Sequence, residues 1–176
     1  GVKIVPVSSY IENGFALPAV SDFAHKITAK TKGIFITNPN NPTGHCYSQE
    51  ELNELAQLVK KNDLFLCVDE VYREFTFDGA QFFSSLLLPG LEQNVVVVDS
   101  ISKRYSACGA RVGTLVTRNQ EVLEAVTRLA KLRLSPPGLG QLLAEGALEN
   151  DLEYLEEVKE AYNQRRLTAY RRLQKM

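Results

Sequence analysis

The chain has 176 residues, of which 44% are hydrophobic, and both values fit one globular domain with a core of its own. Its formal net charge of −1 gives no reason to expect nucleic acid or an anionic membrane as a partner, and no apolar run approaches the about 20 residues of a membrane span. The three cysteines are widely spaced and form no C-x-x-C pair, so structural disulfides and a zinc site are not expected and a reducing cytoplasm fits best.

The N-terminal part predicts two short strands separated by a loop and a helix. Residues 2–7, VKIVPV, favour a strand because valine and isoleucine suit a pleated surface. Ser21 or Asp22 could cap a short helix that runs to about Ala29. A second apolar strand is expected over Ile34–Thr37.

The first motif is the turn after that strand, Asn38–Gly44, which reads NPNNPTG. Each proline fixes φ near −65° and restricts the residue before it, so the side chain of Asn41 should be held stiffly. A stiffly held asparagine is well suited to hydrogen bonding with a ligand. Asn38 and Asn40 are instead expected to bond within the turn itself.

The second motif lies at the end of the next predicted strand. Ser48 and Glu51 match a capping box, which begins an amphipathic helix. The apolar residues 64–68 then predict a strand that leads to Asp69, and Tyr72 follows three residues later. Burying a carboxylate alone is costly, so Asp69 needs either a cationic or proton-sharing partner or the backbone of a turn that it caps.

The third motif follows four consecutive valines, Val95–Val98, which suit a strand covered on both faces, as in a parallel sheet. Ligands of open α/β sheets bind beyond the carboxyl ends of the strands, where Lys103 could condense with the aldehyde of a cofactor. Arg111 carries a planar guanidinium suited to a phosphate, and Ser100 and Ser102 add hydroxyl donors. Taken alone, this stretch would favour a strand end with a solvated lysine, but the two preceding motifs favour a ligand site.

The remainder of the chain continues the alternation of strands and helices. It predicts, in order, a strand over residues 110–117, a helix from Asn119 to about Leu132, a break at Ser135–Gly138, a helix over Leu139–Leu148 and a long amphipathic helix over 151–176. This order predicts an α/β sandwich with a mostly parallel sheet.

The three motifs resemble those of the fold-type I, pyridoxal-phosphate-dependent aminotransferases of class I/II, the aspartate aminotransferase superfamily. The matching segments are Asn38–Gly44, Asp69–Tyr72, and Ser100–Lys103 with Gly109–Gly113. The resemblance covers nearly the whole chain. It implies a three-layer α/β sandwich that is an incomplete large domain: a partial cofactor-binding domain over residues 1–150, followed by a connecting helix over 151–176 that leads to a small domain.

The resemblance also implies roles for the motif residues towards pyridoxal 5'-phosphate. Lys103 would form the internal aldimine and later carry a proton, while Asp69 would keep the pyridine nitrogen protonated. Tyr72 and Asn41 would bond the phenolic oxygen of the cofactor. The phosphate would be held by Ser100, Ser102 and Arg111.

The function implied is transfer of an amino group between an amino acid and a 2-oxo acid by a cytoplasmic homodimer. Two alternatives keep the same fold. One is a lyase, decarboxylase or synthase, because the bond broken depends on substrate orientation. The other is a sensor domain of a transcription regulator that binds the cofactor without turnover. A nucleotide-binding Rossmann domain is disfavoured because no G-x-G-x-x-G follows the first strand.

The resemblance further implies that this chain is a piece of a longer enzyme. The family's phosphate-binding helix and ring-stacking aromatic residue would precede Gly1, and its carboxylate-binding arginine would follow Met176. Two strands of the family's sheet would also be missing, which would leave unpaired edges.

We therefore expect the 176-residue chain by itself to be catalytically inactive or nearly so. The measurement is a transamination assay of the purified chain supplied with pyridoxal phosphate, and measurable turnover would contradict the expectation.

Overall fold

The computed structural model describes residues 1–135, 137–149 and 151–176. Pro136, part of the predicted helix break, and Asn150, the last residue of the predicted partial domain, lie outside the described residues. The sheet has the order β1-β2-β3-β4. Its strands are β1 (Gly33–Thr37), β2 (Phe65–Asp69), β3 (Val95–Ser100) and β4 (Gly113–Thr117). The first three strands run parallel and β4 runs antiparallel to β3, so the prediction of a mostly parallel sheet is confirmed.

The described helices largely follow the sequence predictions. They are α1 (Val20–Ala24), α2 (Gln49–Lys61), α3 (Ile101–Arg104), α4 (Gln120–Lys131), α5 (Gly138–Glu149) and α6 (Asp151–Leu173), with single 3-10 turns at Ile11–Asn13, Ser85–Leu87 and Cys108–Ala110. The predicted capping box is present at α2, where the Glu51 amide donates to Ser48 Oγ at 3.2 Å and the Ser48 amide donates to Glu51 Oε2 at 2.7 Å. Helix α1 is shorter than predicted and ends at Ala24.

The core lies between α2 and one face of the sheet. Leu52, Leu55 and Val59 of α2 are completely buried. Side chains alternate between the two faces of a strand, so four buried residues of the central strands point towards α2: Leu66, Val68, Val95 and Val97. We call this the packed face.

The opposite face, which we call the open face, is less covered in this chain. Phe35 of β1, which pairs with Cys67, lies on this face and is 66% exposed. The predicted α/β class is therefore confirmed, while the third layer of the predicted sandwich is only partial over these residues.

The prediction of a strand over residues 2–7 is wrong. These residues have no regular secondary structure, and Val2 and Ile4 are 95% and 87% exposed. A strand is stable only beside another strand that pairs with its backbone, and no strand of the described residues lies next to this segment. The valines and isoleucine of this segment suit a β-strand, but they do not show whether a neighbouring strand is present to pair with it.

A buried carboxylate fixes the segment that follows the 76–83 loop. Glu70, at the end of β2, is completely buried. Its Oε1 accepts a hydrogen bond from the Ser85 amide and its Oε2 accepts one from Ser84 Oγ, both at 2.8 Å. Burial raises the pKa of Glu70 above its ordinary value of 4.5, and the hydrogen bonds from Ser85 and Ser84 oppose that rise only in part.

Helix α5 approaches the segment before β4 very closely. The contact is made at Gly140, which is buried, and a Cβ placed there would collide with the carbonyl oxygen of Ala110 and lie 2.9 Å from Val112 Cγ2. Glycine is therefore required for this packing, which supports the backbone on both sides of Arg111.

The two inner glycines of α5 should respond oppositely to alanine. We expect Gly140→Ala to destabilise the whole protein that contains this chain by about 1–3 kcal/mol, because the helix must move off residues 110–112. Gly146→Ala is the matched control: no heavy atom of the described residues lies within 4 Å of its added Cβ, so alanine should stabilise the helix by about 0.5–1 kcal/mol. Thermal unfolding measures both, and equal shifts would contradict the proposed contact.

The raised pKa of Glu70 predicts a pH dependence of stability. The folded state holds this proton more tightly than the unfolded state, so the contribution is present below the ordinary value of 4.5 and is lost as the pH rises through the folded-state pKa. Glu70→Gln keeps both hydrogen bonds and has no proton to lose. We expect its unfolding temperature to fall less between about pH 5 and about pH 8 than that of the parent. Glu54→Gln, on an exposed position of α2, is the control and should behave like the parent.

Candidate active site

The sheet topology brings the three sequence motifs to one edge. Strands β1, β2 and β3 are parallel, so the segments that follow them all leave from the same edge. Strand β4 begins there, because it is antiparallel and Gly113 pairs with Ser100. The residues expected to bind the cofactor lie on these segments: Asn41 after β1, Asp69 and Tyr72 at and after β2, Ser100, Ser102 and Lys103 at and after β3, and Arg111 before β4.

The register places two of these residues on the same face. Asp69 lies opposite Val98 across the β2–β3 pair, and Ser100 is two residues further along β3. Alternation therefore puts Asp69 and Ser100 on the open face. It puts Asp99 on the packed face, behind the candidate site.

The NPNNPTG turn holds its asparagines in different ways. Asn38 is completely buried and its Oδ1 accepts a hydrogen bond from the Tyr47 amide at 2.9 Å. Asn40 Oδ1 accepts one from Thr43 Oγ1, also at 2.9 Å, so Asn40 bonds within the turn as expected, whereas Asn38 bonds to a residue beyond it. Asn41 is exposed, and its side chain makes no hydrogen bond with any described residue, which leaves it available to a ligand.

Asp69 combines the two roles considered for it. Its Oδ1 accepts a hydrogen bond from the Val71 amide at 3.0 Å and so caps the turn that carries Tyr72. Its Oδ2 has no hydrogen-bond partner in the described part of the chain. The capping bond thus orients the carboxylate and leaves one oxygen for another donor. Tyr72 is partly buried, and its hydroxyl likewise bonds to no described residue.

Lys103 lies on α3, which is a single turn of four residues. Ser100 caps this turn: its Oγ accepts from the Ser102 amide at 3.1 Å and donates to the Val112 carbonyl at 2.9 Å. The hydroxyl oxygens of Ser100 and Ser102 are 2.7 Å apart. Lys103 itself is exposed, and its ammonium forms no ion pair or hydrogen bond within residues 1–135, 137–149 and 151–176.

Arg111 is presented by an unusual backbone conformation. Its φ of 56° lies in the left-handed region, which non-glycine residues rarely adopt. The side chain is exposed and its Nη1 donates to the Cys108 carbonyl at 2.8 Å. A guanidinium has five N–H donors, so this bond leaves most of them for an anion.

A cluster of four charged side chains, which the sequence analysis did not predict, lies behind the site. Arg104 pairs closely with Asp99, and both side chains are about nine-tenths buried, with 9% and 11% exposure. Arg73 Nε lies 3.1 Å from Glu74 Oε1, Arg104 Nε lies 3.5 Å from the same oxygen, and Arg73 Nη1 lies 3.8 Å from Asp99 Oδ2. We call these four residues the ion cluster. The four identical valines before Asp99 do not distinguish the two faces of β3, so the sequence carries no signal for this cluster.

Other kinds of site are not found in the described residues. A shallow depression of about 360 Å³ lies away from the candidate site, between residues 76–81 and α6. No described histidine, cysteine, aspartate or glutamate residues cluster as metal ligands would. Among the described helices, none is both long and apolar enough to cross a membrane.

The comparisons with known proteins agree with the three motifs. The family model described as "Aminotransferase class I and II" matches residues 1–176. The aspartate aminotransferase of Bacillus subtilis is 34% identical over 175 residues, which are 98% of this chain and 44% of that protein. The aromatic-amino-acid aminotransferase 2 of Thermococcus litoralis is 32% identical over an alignment of 179 positions, which covers 100% of this chain and 46% of that protein.

A solved structure supports the same relationship at the level of the fold. The aromatic aminotransferase from Pyrococcus horikoshii superposes with a TM-score of 0.87 at 30% sequence identity, over 95% of this chain and 45% of that chain. The chain spans less than half the length of each of these relatives. Because the family model matches every residue from the first to the last, the chain belongs to the class I and II aminotransferases.

Proposed function

We propose that the whole protein containing this chain is a pyridoxal-5'-phosphate-dependent aminotransferase that moves an amino group between an amino acid and a 2-oxo acid. The observation that carries the proposal is the single sheet edge at which all three motifs meet. The relatives named above, all of them aminotransferases by name, support the same proposal.

The side chains at this edge fit the chemical groups of the cofactor. The cofactor presents an aldehyde, a phosphate, a pyridine nitrogen and a phenolic oxygen. The edge offers one amine, Lys103, and one guanidinium, Arg111, both exposed. It also offers an unpaired carboxylate oxygen on Asp69, a phenol on Tyr72 and an amide on Asn41. Each group of the cofactor therefore has a partner of suitable chemistry.

The bound cofactor supplies an electron sink that stabilises negative charge at the substrate α-carbon. Lys103 Nζ would bind the aldehyde carbon and, once the substrate amine displaces it, would move a proton from the substrate α-carbon to that carbon of the cofactor, and in the opposite direction in the second half of the reaction. Its exposure on the outer side of α3 leaves this atom accessible to both partners.

Three side chains would hold the phosphate and three would hold the ring. Arg111 would bind two phosphate oxygens in a planar fork, with the Ser102 hydroxyl beside it. Ser100 would also donate to the phosphate once its single hydroxyl proton turns from the Val112 carbonyl. Asp69 Oδ2 would accept a hydrogen bond from the pyridine N–H, since Oδ1 is already bonded to the Val71 amide. Tyr72 and Asn41 would donate to the phenolic oxygen.

The substrate is proposed only as a class. The relatives named above act, by their names, on aspartate and on aromatic amino acids, and both match this chain at similar identity. The described residues contain no feature that favours lyase, decarboxylase or sensor function over amino transfer. We further propose, from the resemblance, that residues 1–150 are part of the large domain, that 151–176 lead to a small domain, and that the protein is a cytoplasmic homodimer.

Covalent trapping tests the assignment of Lys103. The whole protein is mixed with pyridoxal phosphate, its absorbance spectrum is recorded, and borohydride reduction is followed by peptide mapping. We expect the label on Lys103. Lys103→Ala should lose the absorbance band of the bound cofactor and lower kcat by about a thousand-fold or more, because the nucleophile and proton carrier are both removed.

The control for this experiment is Lys131→Ala, which removes an exposed lysine of α4 and should keep both the band and the activity. A label on any lysine other than Lys103 would refute the assignment.

A further inference from the structure

The turn that carries Lys103 is too short to be stable without anchors. A helix of four residues cannot recover the entropy lost on forming its first turn, so its geometry depends on contacts with the rest of the protein. Two residues of the turn supply them: Ile101 is 8% exposed and Arg104 is 7% exposed. Lys103 lies between these anchors in sequence and points away from them.

Asp99 binds both ends of this turn. Its Oδ1 accepts a hydrogen bond from the Ser100 amide at 2.6 Å, just before α3 begins. Its Oδ2 pairs closely with Nη2 of Arg104, the last residue of α3. One carboxylate on the packed face thus closes the segment from residue 99 to residue 104 into a loop. A buried arginine and a buried aspartate are each costly unless paired, so neither side chain can leave this arrangement cheaply.

The ion cluster also connects this turn to the one that carries Tyr72. Arg73 and Glu74 immediately follow Tyr72, and Glu74 Oε1 lies 3.1 Å from Arg73 Nε and 3.5 Å from Arg104 Nε. Two charges from the β2 segment therefore face two charges from the β3 segment. The connection runs along the packed side of the sheet, whereas Asp69 and Ser100 lie on the open face.

We propose that Arg104 is a positioning residue for Lys103: through Asp99 and Glu74 it fixes the Lys103 turn relative to the Tyr72 turn. The inference rests on the function proposed above. Arg104 need not touch substrate or cofactor. Its effect is exerted through the backbone of α3 and through the neighbouring turn.

The charge balance of the cluster distinguishes this role from simple packing. Two arginines and two acids give a formal net charge of zero. The other charged or titratable groups near the cluster are unchanged in every variant below: Asp69, Glu70, Lys103, Arg111, and Tyr105 with its partner Asp151 of α6. Arg104→Gln leaves an excess negative charge and Asp99→Asn leaves an excess positive charge. Both variants break the same link, yet their electrostatic effects on the adjacent turn have opposite signs.

The experiment compares Arg104→Gln, Arg104→Lys, Asp99→Asn and the double variant in the whole protein. Arg128→Gln is the matched control, since it removes the same charge from an exposed pair with Glu124, in which the arginine side chain is 76% exposed. Three quantities are measured: kcat and KM, the pH midpoint of the absorbance change of the pyridoxal-phosphate-loaded protein, and the rate at which an amine-reactive reagent modifies Lys103 in the cofactor-free protein. That rate is divided by the rate at Lys131.

We expect Arg104→Gln to lower kcat by about 10- to 100-fold with KM changed less than about three-fold, because a misplaced catalytic group slows the chemical steps more than binding. The pH midpoint should rise by about 0.3–1 unit in Arg104→Gln and fall by a similar amount in Asp99→Asn. In the double variant the pH midpoint should return near the parental value while kcat stays low.

Arg104→Lys should recover part of kcat, because an ammonium can pair with Asp99 but cannot also reach Glu74 in a planar fork. Modification of Lys103 should slow in Arg104→Gln and accelerate in Asp99→Asn.

Several outcomes would overturn the inference. It fails if Arg104→Gln affects kcat no more than Arg128→Gln does, or if the two single variants shift the midpoint and the modification rate in the same direction or not at all. If Arg104→Gln does not fold, Arg104→Lys still tests the effect on kcat, and Asp99→Asn by itself still tests the direction of the midpoint shift and of the change in modification rate. Failure of the proposed function would instead appear in the parent protein, as absence of a borohydride label on Lys103, and the cofactor-free modification rates would still test the role of Arg104.

Discussion

The parallel register of β1, β2 and β3 is the constraint on which the candidate site depends. It makes the ends of three strands, and the residues that follow them, meet at one edge, where the Asn38 amide donates to the Asp69 carbonyl at 2.9 Å. The register also decides which face each side chain occupies. A shift of the strand register by one residue would exchange the faces of Asp69 and Glu70, and likewise those of Ser100 and Asp99. The proposed ligand-binding side chains would then point into the core, and the supporting charged side chains would point towards the ligand.

The two adjacent carboxylates at the end of β2 illustrate how strongly this placement sets chemistry. Asp69 keeps one oxygen without a protein partner on the open face. Glu70, one residue later, is completely buried and has both oxygens hydrogen-bonded, and its burial raises its pKa. The same functional group can thus serve ligand binding at one position and fix a loop at the next, because the environments differ.

The sequence was sufficient to predict what depends on local chemistry. The capping box at Ser48, the turn rich in asparagine and proline, the strand ends and the segments bearing Lys103 and Arg111 all follow from residue types at short spacing. The strand over residues 2–7 was predicted wrongly because pairing depends on a neighbour that composition does not reveal. The ion cluster was missed for a similar reason: Glu74 and Arg104 come together only through the register of two strands.

The candidate site is supported from two sides, and the buried side contributes more to its geometry. Helix α6 contacts the loops that follow the Tyr72 turn and the Lys103 turn. Arg166 forms a bidentate pair with Asp78 at 2.6 and 2.7 Å, and the Tyr154 hydroxyl donates to Ser106 Oγ at 3.0 Å. These contacts are exposed, and exposed polar contacts of this kind exchange readily with water and add little stability. Arg104 and Asp99 are shielded from water, so separating them leaves an uncompensated charge in the interior. The relative position of the Lys103 and Tyr72 turns therefore depends mainly on the ion cluster. Helix α6 adds contacts to the residues that follow the cluster, from Asp151 to Tyr105 and from Tyr162 to Phe75.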